Sequence, residues 1–223
     1  GVADGARSWV LQNVAGGEAS DGRLSIGLAA NEDFSGLTVT RATGSLQGSN
    51  LTVAWLRPVP PIIQGDAVLR MIDPDTLQID VLSGRQTLKG GSLAVTGGSM
   101  RIVGLMQRDQ TADIQLGVTG TLPNAIALLR EPRLHLLDQP PGSLNDPAGD
   151  VKAAVRARVP LDSKVQMDDI AIRVAGHIDN AALSGLVAGR DLTAGTLDLA
   201  ATNDGLTVKG RASLGGIPAD LDA

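Results

Sequence analysis

The side chains that could do chemistry in this chain are few, and their spacing does not suit the usual mechanisms. A hydrolase-type serine needs a Gly-x-Ser-x-Gly elbow, and no serine here has glycine two positions away on both sides. No two glycines are separated by a single residue, so the dinucleotide fingerprint is missing, and neither Gly-Lys-Ser nor Gly-Lys-Thr occurs to close a phosphate loop. Cysteine is absent, which removes disulfides and thiolate metal sites and leaves the compartment open. Of the two histidines, His177 falls on the polar side of an alternating run beside Arg173 and Asp179, where a solvated strand face is expected. His135 lies among Leu134, Leu136 and Leu137, where a packing or capping role is expected. Asp73-Pro74-Asp75 and Asp168-Asp169 lack the order of a calcium loop and read as turns, because Asp hydrogen-bonds its own backbone there. Carboxylate pairs of the glycosidase kind meet only in space, yet the aromatic platforms that would hold a sugar are missing. The expectation is a protein that is not an enzyme and uses no cofactor and no metal.

Composition narrows the partners further. Tyr is absent, and Phe34, Trp9 and Trp55 are the only aromatic residues, so bases have nothing to stack on. A net charge of -5 offers no basic stripe to neutralise phosphates along a polymer, and nucleic acid is therefore not an expected partner. The longest apolar run, Ala125 to Leu129, is far short of the roughly 18 residues that a membrane span requires. With 28 glycines, the chain is rich in turn-formers and small contacts.

The elements that must position these groups are mostly strands. Ala6, Trp9, Val10 and Asn13 share helical spacing, with Asp4 as a cap and Gly16-Gly17 as a stop, so the spacing predicts a short helix over residues 3 to 14. Thereafter the period changes to two. Leu24, Ile26 and Leu28 alternate with polar or small residues, as do Leu37 and Val39, and Leu51, Val53 and Trp55 continue the series. Arg57-Pro58-Val59-Pro60-Pro61 lacks ladder donors and must be a crossing or an edge. Strand pattern returns at Ala67 to Met71, Leu77 to Val81, Leu93 to Val95, Ile102, and Ile114 to Val118. It returns again at Val151 to Val159, Ile170 to Ile178, Leu197 to Leu199, and Leu206 to Val208. Residues 121 to 138 break the strand rhythm and hold a helix, with Leu122, Ile126 and Leu129 on one face, Pro123 in the first turn and Pro132 ending the run. A loop carrying Pro140-Pro141-Gly142 and Pro147-Ala148-Gly149 follows. The expected fold class is mainly β: an elongated, curled antiparallel sheet forming a groove, with one or two short helices. Residues 1 to 223 read as one segment with a helical insertion at about 121 to 148. The chain opens without Met and stops while an alternating run is in progress, so it reads as a piece of a longer protein.

What remains as a candidate site is the aliphatic face itself. Alternation alone favours the shared core of a sandwich, where two sheets bury each other's Leu, Ile and Val. The other reading is a curved sheet whose concave apolar face stays open to acyl chains, each Å² buried contributing ~25 cal/mol.

Three phrases bear on that choice: Ala6-Arg7-Ser8-Trp9-Val10 with Asn13 and Gly22 downstream, Leu56-Arg57-Pro58-Val59-Pro60-Pro61, and Gly189-Arg190-Asp191-Leu192. Together they resemble the AsmA-like family, in particular its YhdP-type branch of bacterial bridge-like lipid transfer proteins. The resemblance implies a section of a long periplasmic β-groove that accommodates phospholipid acyl chains between the inner and outer membranes. Its partners would be phospholipids, with an inner-membrane anchor elsewhere in the full-length chain. On that resemblance the groove is lined by Leu24, Ile26, Leu37, Val39, Leu77, Ile79, Ile114, Leu116, Ile170, Ile172, Leu197 and Leu199. It supplies no catalytic residue, and it gives Arg7 and Trp9 the task of holding the first helix. The alternative is a non-catalytic structural or interaction module of the cell envelope, built as a β-sandwich.

Overall fold

In a computed structural model, which describes residues 4–32, 36–107, 109–132, 134, 144–161 and 169–222, the period-two alternation folds into one 12-stranded sheet. Helix α1 (Asp4–Asn13) leads into β1 (Val14–Ala15), β2 (Glu18–Ala30), β3 (Leu37–Val53), β4 (Ile62–Asp73), β5 (Thr76–Leu88), β6 (Gly91–Val103) and β7 (Thr111–Thr121). Helix α2 (Leu122–Leu129) follows, and then β8 (Asn145–Pro160), β9 (Ala171–Val187), β10 (Arg190–Thr202), β11 (Gly205–Leu214) and β12 (Ile217–Asp222). From β3 onward each strand pairs antiparallel with the next in sequence. The sheet is therefore a meander with local connections.

At the first edge, β1 and β2 share one flank of β3. Val14 and Ala15 pair with Val53 and Thr52, while Glu18 to Ala30 run along Ser49 to Leu37. Gly16 and Gly17 make the break between them at φ +63° and +78°, a region that costs glycine little. A Cβ on Gly17 would also stand 2.8 Å from Leu51 Cδ2. At the other end β12 pairs only with β11, and no pairing joins the two edges, so the sheet does not close into a barrel.

The proline-rich stretch is a crossing, as its missing donors require. Residues 54–61 carry the chain from β3 to β4 outside the sheet. Trp55 does not extend the strand series: it lies in this crossing, where its Nε1 donates to Gln86 Oε1 at 3.0 Å. Gln86 is buried, and its amide donates in turn to the Pro60 carbonyl, so a buried polar side chain is satisfied at both ends. Arg57 Nη2 donates to the Gln12 carbonyl at 2.6 Å, tying the crossing to the last turn of α1. Within α1, Asn13 Nδ2 donates to the Trp9 carbonyl at 2.9 Å.

Two apolar clusters sit near opposite strand ends. One holds Leu77, Ile102, Leu105 and Ala112, with Ile102 and Ala112 at 0 % exposure. The other holds Leu122 and Ile126 of α2 against Val151, Ile178, Ala181, Leu192, Leu197 and Ala212. Helix α2 is anchored by Asn124, whose Nδ2 donates to the Ser92 carbonyl at 3.1 Å. Gly91 leaves room for it, since a Cβ there would stand 2.5 Å from Asn124 Nδ2.

Several boundaries differ from the sequence reading. The helix expected within residues 121 to 138, with Pro132 as its stop, ends at Leu129, and Arg130 and Glu131 close it with bonds to the carbonyls of Ile126 and Leu128. Residues 133 and 135–143 lie outside the described residues, so His135 and Pro140-Pro141-Gly142 are not placed. Pro147-Ala148-Gly149 is not a loop but the start of β8. Pro147 is tolerated because the register jumps from Asn145↔Ser184 to Ala148↔Ala182, and this part of β8 pairs with β9 alone. Leu93, Val95 and Ile102 belong to one strand, running through Gly97-Gly98 rather than stopping there.

Candidate functional site

Antiparallel register decides which side chains share a face, because residues directly opposite each other point the same way. One row runs Met71, Leu77, Ile102, Ala112, Val159 across β4 to β8. The next runs Leu46, Leu69, Ile79, Met100, Ile114, Ala157, Ile172 across β3 to β9. A third runs Gly48, Ala67, Val81, Gly98, Leu116, Val155, Val174, Ala201, Leu206. A fourth places Leu199 beside Gly176, Ala153 and Val118, and a fifth places Leu197 beside Ile178, Val151 and Gly120. At the first edge, Leu24 lies opposite Gly44, Ile26 opposite Ala42, Leu28 opposite Val39 and Ala30 opposite Leu37.

Eleven of the sequence-derived face residues thus fall on one side of one sheet: Leu24, Ile26, Leu37, Val39, Leu77, Ile79, Ile114, Leu116, Ile172, Leu197 and Leu199. Ile170 precedes β9 instead. It is buried, with its carbonyl accepting from Asn203 Nδ2 at 2.7 Å, while Asn203 Oδ1 takes the Ile172 amide at 2.7 Å. The sequence reading missed other members of the face. Leu28, Leu69, Val155 and Val174 already showed period-two spacing within their strands but were not given as lining, and Leu46 and Met100 are tied to them only by pairing.

Accessibility along this face is uneven in an ordered way. Toward the strand ends Leu77, Ile102, Ala112, Val151, Ile178 and Leu197 are buried, but the rows between them, including Ile79, Ile114, Leu116, Val155, Ile172 and Leu199, are only half-buried. Toward the first edge the same face opens: Leu24 is 67 % exposed and Leu37 70 %. Among the described residues no second sheet lies on it, since every strand belongs to the one sheet. The result is an apolar trough that runs across the strands, walled by the two buried clusters and roofed at one wall by α2.

The opposite face is polar. Arg70 pairs with Asp80, Lys209 Nζ lies 3.1 Å from Asp222 Oδ2, and Arg211 Nε lies 3.4 Å from Asp220 Oδ1. His177 is on this face, as its place in the alternation implied, but its main partner was invisible in the sequence. Its Nδ1 lies 2.7 Å from Asp198 Oδ1 on β10, and its Nε2 lies 3.2 Å from Asp179 Oδ1. The Asp198 hydrogen bond raises its pKa above 6.5, partial burial opposes that, and Asp179 adds to it. Protonated His177 therefore stabilises the fold fully below pH 6.5, and this contribution fades as pH rises through the higher folded-state pKa. The expected result is that the melting temperature of wild type minus that of His177→Gln falls steadily from pH 6 to pH 8.5. A difference that does not vary with pH would show that these contacts carry no charge-dependent stability.

Among the described residues no group of His, Asp or Glu is placed to hold a metal ion. Asp73 accepts from the Asp75 amide at 2.8 Å, and Asp75 accepts from the Met106 amide at 2.9 Å, so both organise backbone. Asp168 lies outside the described residues.

No family model, curated protein or solved structure matches the chain. The fold and the face themselves define the class: a single curled antiparallel sheet, open at both edges, with one charged side and one continuous apolar side.

Proposed function

We propose that this chain is a section of a periplasmic β-groove that accommodates phospholipid acyl chains on their way between inner and outer membrane, as its resemblance to the YhdP-type branch of the AsmA-like family implies. The observation that carries this reading is the continuous apolar row from Leu46 to Ile172, half-buried along its middle and, among the described residues, uncovered by a second sheet. With strands about 4.8 Å apart, β3 to β12 make a trough roughly 45 Å long measured along the sheet. One leaflet of a bilayer core is only about 15 Å thick, so acyl chains would lie along the trough in file, with headgroups projecting past its walls. The lining offers no fixed polar anchor, which suits sliding rather than capture. No helix of the described residues is long and apolar enough to cross a membrane, so the anchor this reading requires belongs elsewhere in the full-length chain.

The test is to purify the chain without harsh detergent, extract it, and analyse the extract by mass spectrometry alongside uptake of a fluorescent phospholipid. Co-purified phospholipid at a reproducible ratio and saturable uptake are expected. Lipid-free protein that takes up no probe would instead make it a structural spacer.

A further inference from the structure

We infer that the charged face of the sheet, opposite the trough, carries a phosphate-group binding site built on Arg156 and Arg173. The β8–β9 register sets these two arginines directly opposite each other. Their Cβ atoms are then about 5 Å apart, and like charges so placed destabilise a sheet. Both are exposed, and among the described residues neither has a carboxylate within ion-pair distance. Gln115 on β7 and Thr202 on β10 extend the same rung, so hydrogen-bond donors from four adjacent strands stand in line.

The neighbouring rung adds to the positive charge. Arg101, Asp113 and Arg158 lie opposite one another on β6, β7 and β8, and Arg158 Nε reaches Asp113 Oδ1 only at 3.5 Å, with both side chains largely in water. Across β6 to β9 the described residues of these two rungs set Arg101, Arg156, Arg158 and Arg173 against one carboxylate, Asp113. On the same face the charges of Asp222, Lys209, Asp198 and His177 alternate across the strands, while Lys152 stands opposite His177 and Asp150 opposite Asp179. The Asp150–Asp179 pair is relieved by His177, whose Nε2 lies 3.2 Å from Asp179 Oδ1, whereas the Arg156–Arg173 pair has no such counter-charge among the described residues, in a chain whose net charge is -5. On its other side the rung is bordered by Ala154 and Ala175, which leave the guanidinium groups accessible.

A tetrahedral phosphate resolves the conflict. Each guanidinium presents a planar fork that pairs bidentately with two oxygens, and two forks facing each other share one dianion while neutralising their mutual repulsion. The phosphate belongs either to the headgroup of an anionic lipid surface or to a soluble phosphate compound. The site does not depend on what occupies the trough.

The test compares melting temperatures of the purified chain in inorganic phosphate and in chloride at equal ionic strength, for wild type, Arg156→Gln/Arg173→Gln, and Arg211→Gln as a control on the same face. Phosphate is expected to raise the midpoint of wild type and of the control, and the double variant should bind it at least about tenfold more weakly. Sedimentation with phosphatidylglycerol or phosphatidylcholine vesicles separates the sources. Arginine-dependent binding to the former alone identifies a headgroup, and phosphate binding without vesicle binding identifies a soluble compound. Should the double variant not fold, Arg156→Lys/Arg173→Lys keeps the charge and removes the forks, and it must lose the same affinity. The inference is overturned if phosphate acts no better than chloride, if either double variant responds as wild type does, or if only polyglutamate binds, which would point to an acidic protein partner.

Discussion

Leu116→Asp is expected to fold with a melting temperature near that of wild type and to lose lipid uptake by at least about tenfold, whereas Ile102→Asp should not fold at all. The two positions lie on the same apolar face and differ in what surrounds them. Ile102 is at 0 % exposure inside a cluster with Leu77, Leu105 and Ala112, so a carboxylate there has neither water nor a partner. A buried, unpaired charge of that kind costs about 4 kcal/mol or more. Leu116 is half-buried in the middle of the trough, between Gly98 and Val155, where a carboxylate keeps part of its hydration. Its effect should fall on an acyl chain sliding past it. Circular dichroism melts and fluorescent-lipid uptake on the same preparations give the answer. If Leu116→Asp unfolds as Ile102→Asp does, the face is a closed core; if it folds and takes up lipid normally, the lipid path is not the trough.

That contrast marks the limit of what alternation reveals. Leu24, Ile26, Leu77, Ile79, Ile114 and Leu116 announce strands with one apolar side, because the period of two is a property of each strand alone. Whether those sides meet is a matter of pairing, and in a meander consecutive strands with short connections pair with each other. The division into buried walls and a half-buried middle was not legible, since Ile79 and Leu77 differ only by their place along the strand. Register breaks were equally hidden. Pro147 looked like a loop residue, and only the jump between Asn145 and Ala148 gives it a place in β8. The pairing of His177 with Asp198 spans 21 residues, and the opposition of Arg156 to Arg173 depends on the register of two long strands, so neither could be seen in local sequence. The polar character of that face was visible; the pair of facing arginines without a carboxylate was not.

Curvature raises the remaining question, and two glycines answer it in the same way. Gly98 lies on the trough face opposite Leu116, and Gly210 on the same face opposite Leu197. Their φ values are +152° and +148°, outside the range that a side chain adopts readily. A Cβ on Gly98 would stand 2.9 Å from Leu116 Cα, and one on Gly210 would stand 2.9 Å from Leu197 Cα. In each case the backbone of the facing leucine approaches so closely that only glycine fits, and glycines in such positions are what let a sheet curl. Gly98→Ala should therefore be costly despite adding one methyl group. Strained φ and the backbone contact together should cost on the order of 3 kcal/mol, which for a chain of this length lowers the melting temperature by roughly 6–12 °C. Gly205→Ala is the control, because a Cβ there meets nothing within 4 Å and φ is not in the positive range. Equal melting temperatures for Gly98→Ala and Gly205→Ala would show that the sheet curls without help from Gly98. A large loss confined to Gly98→Ala would tie the trough's shape to the Gly98–Leu116 pair, and so join the fold and the candidate lipid path at one position.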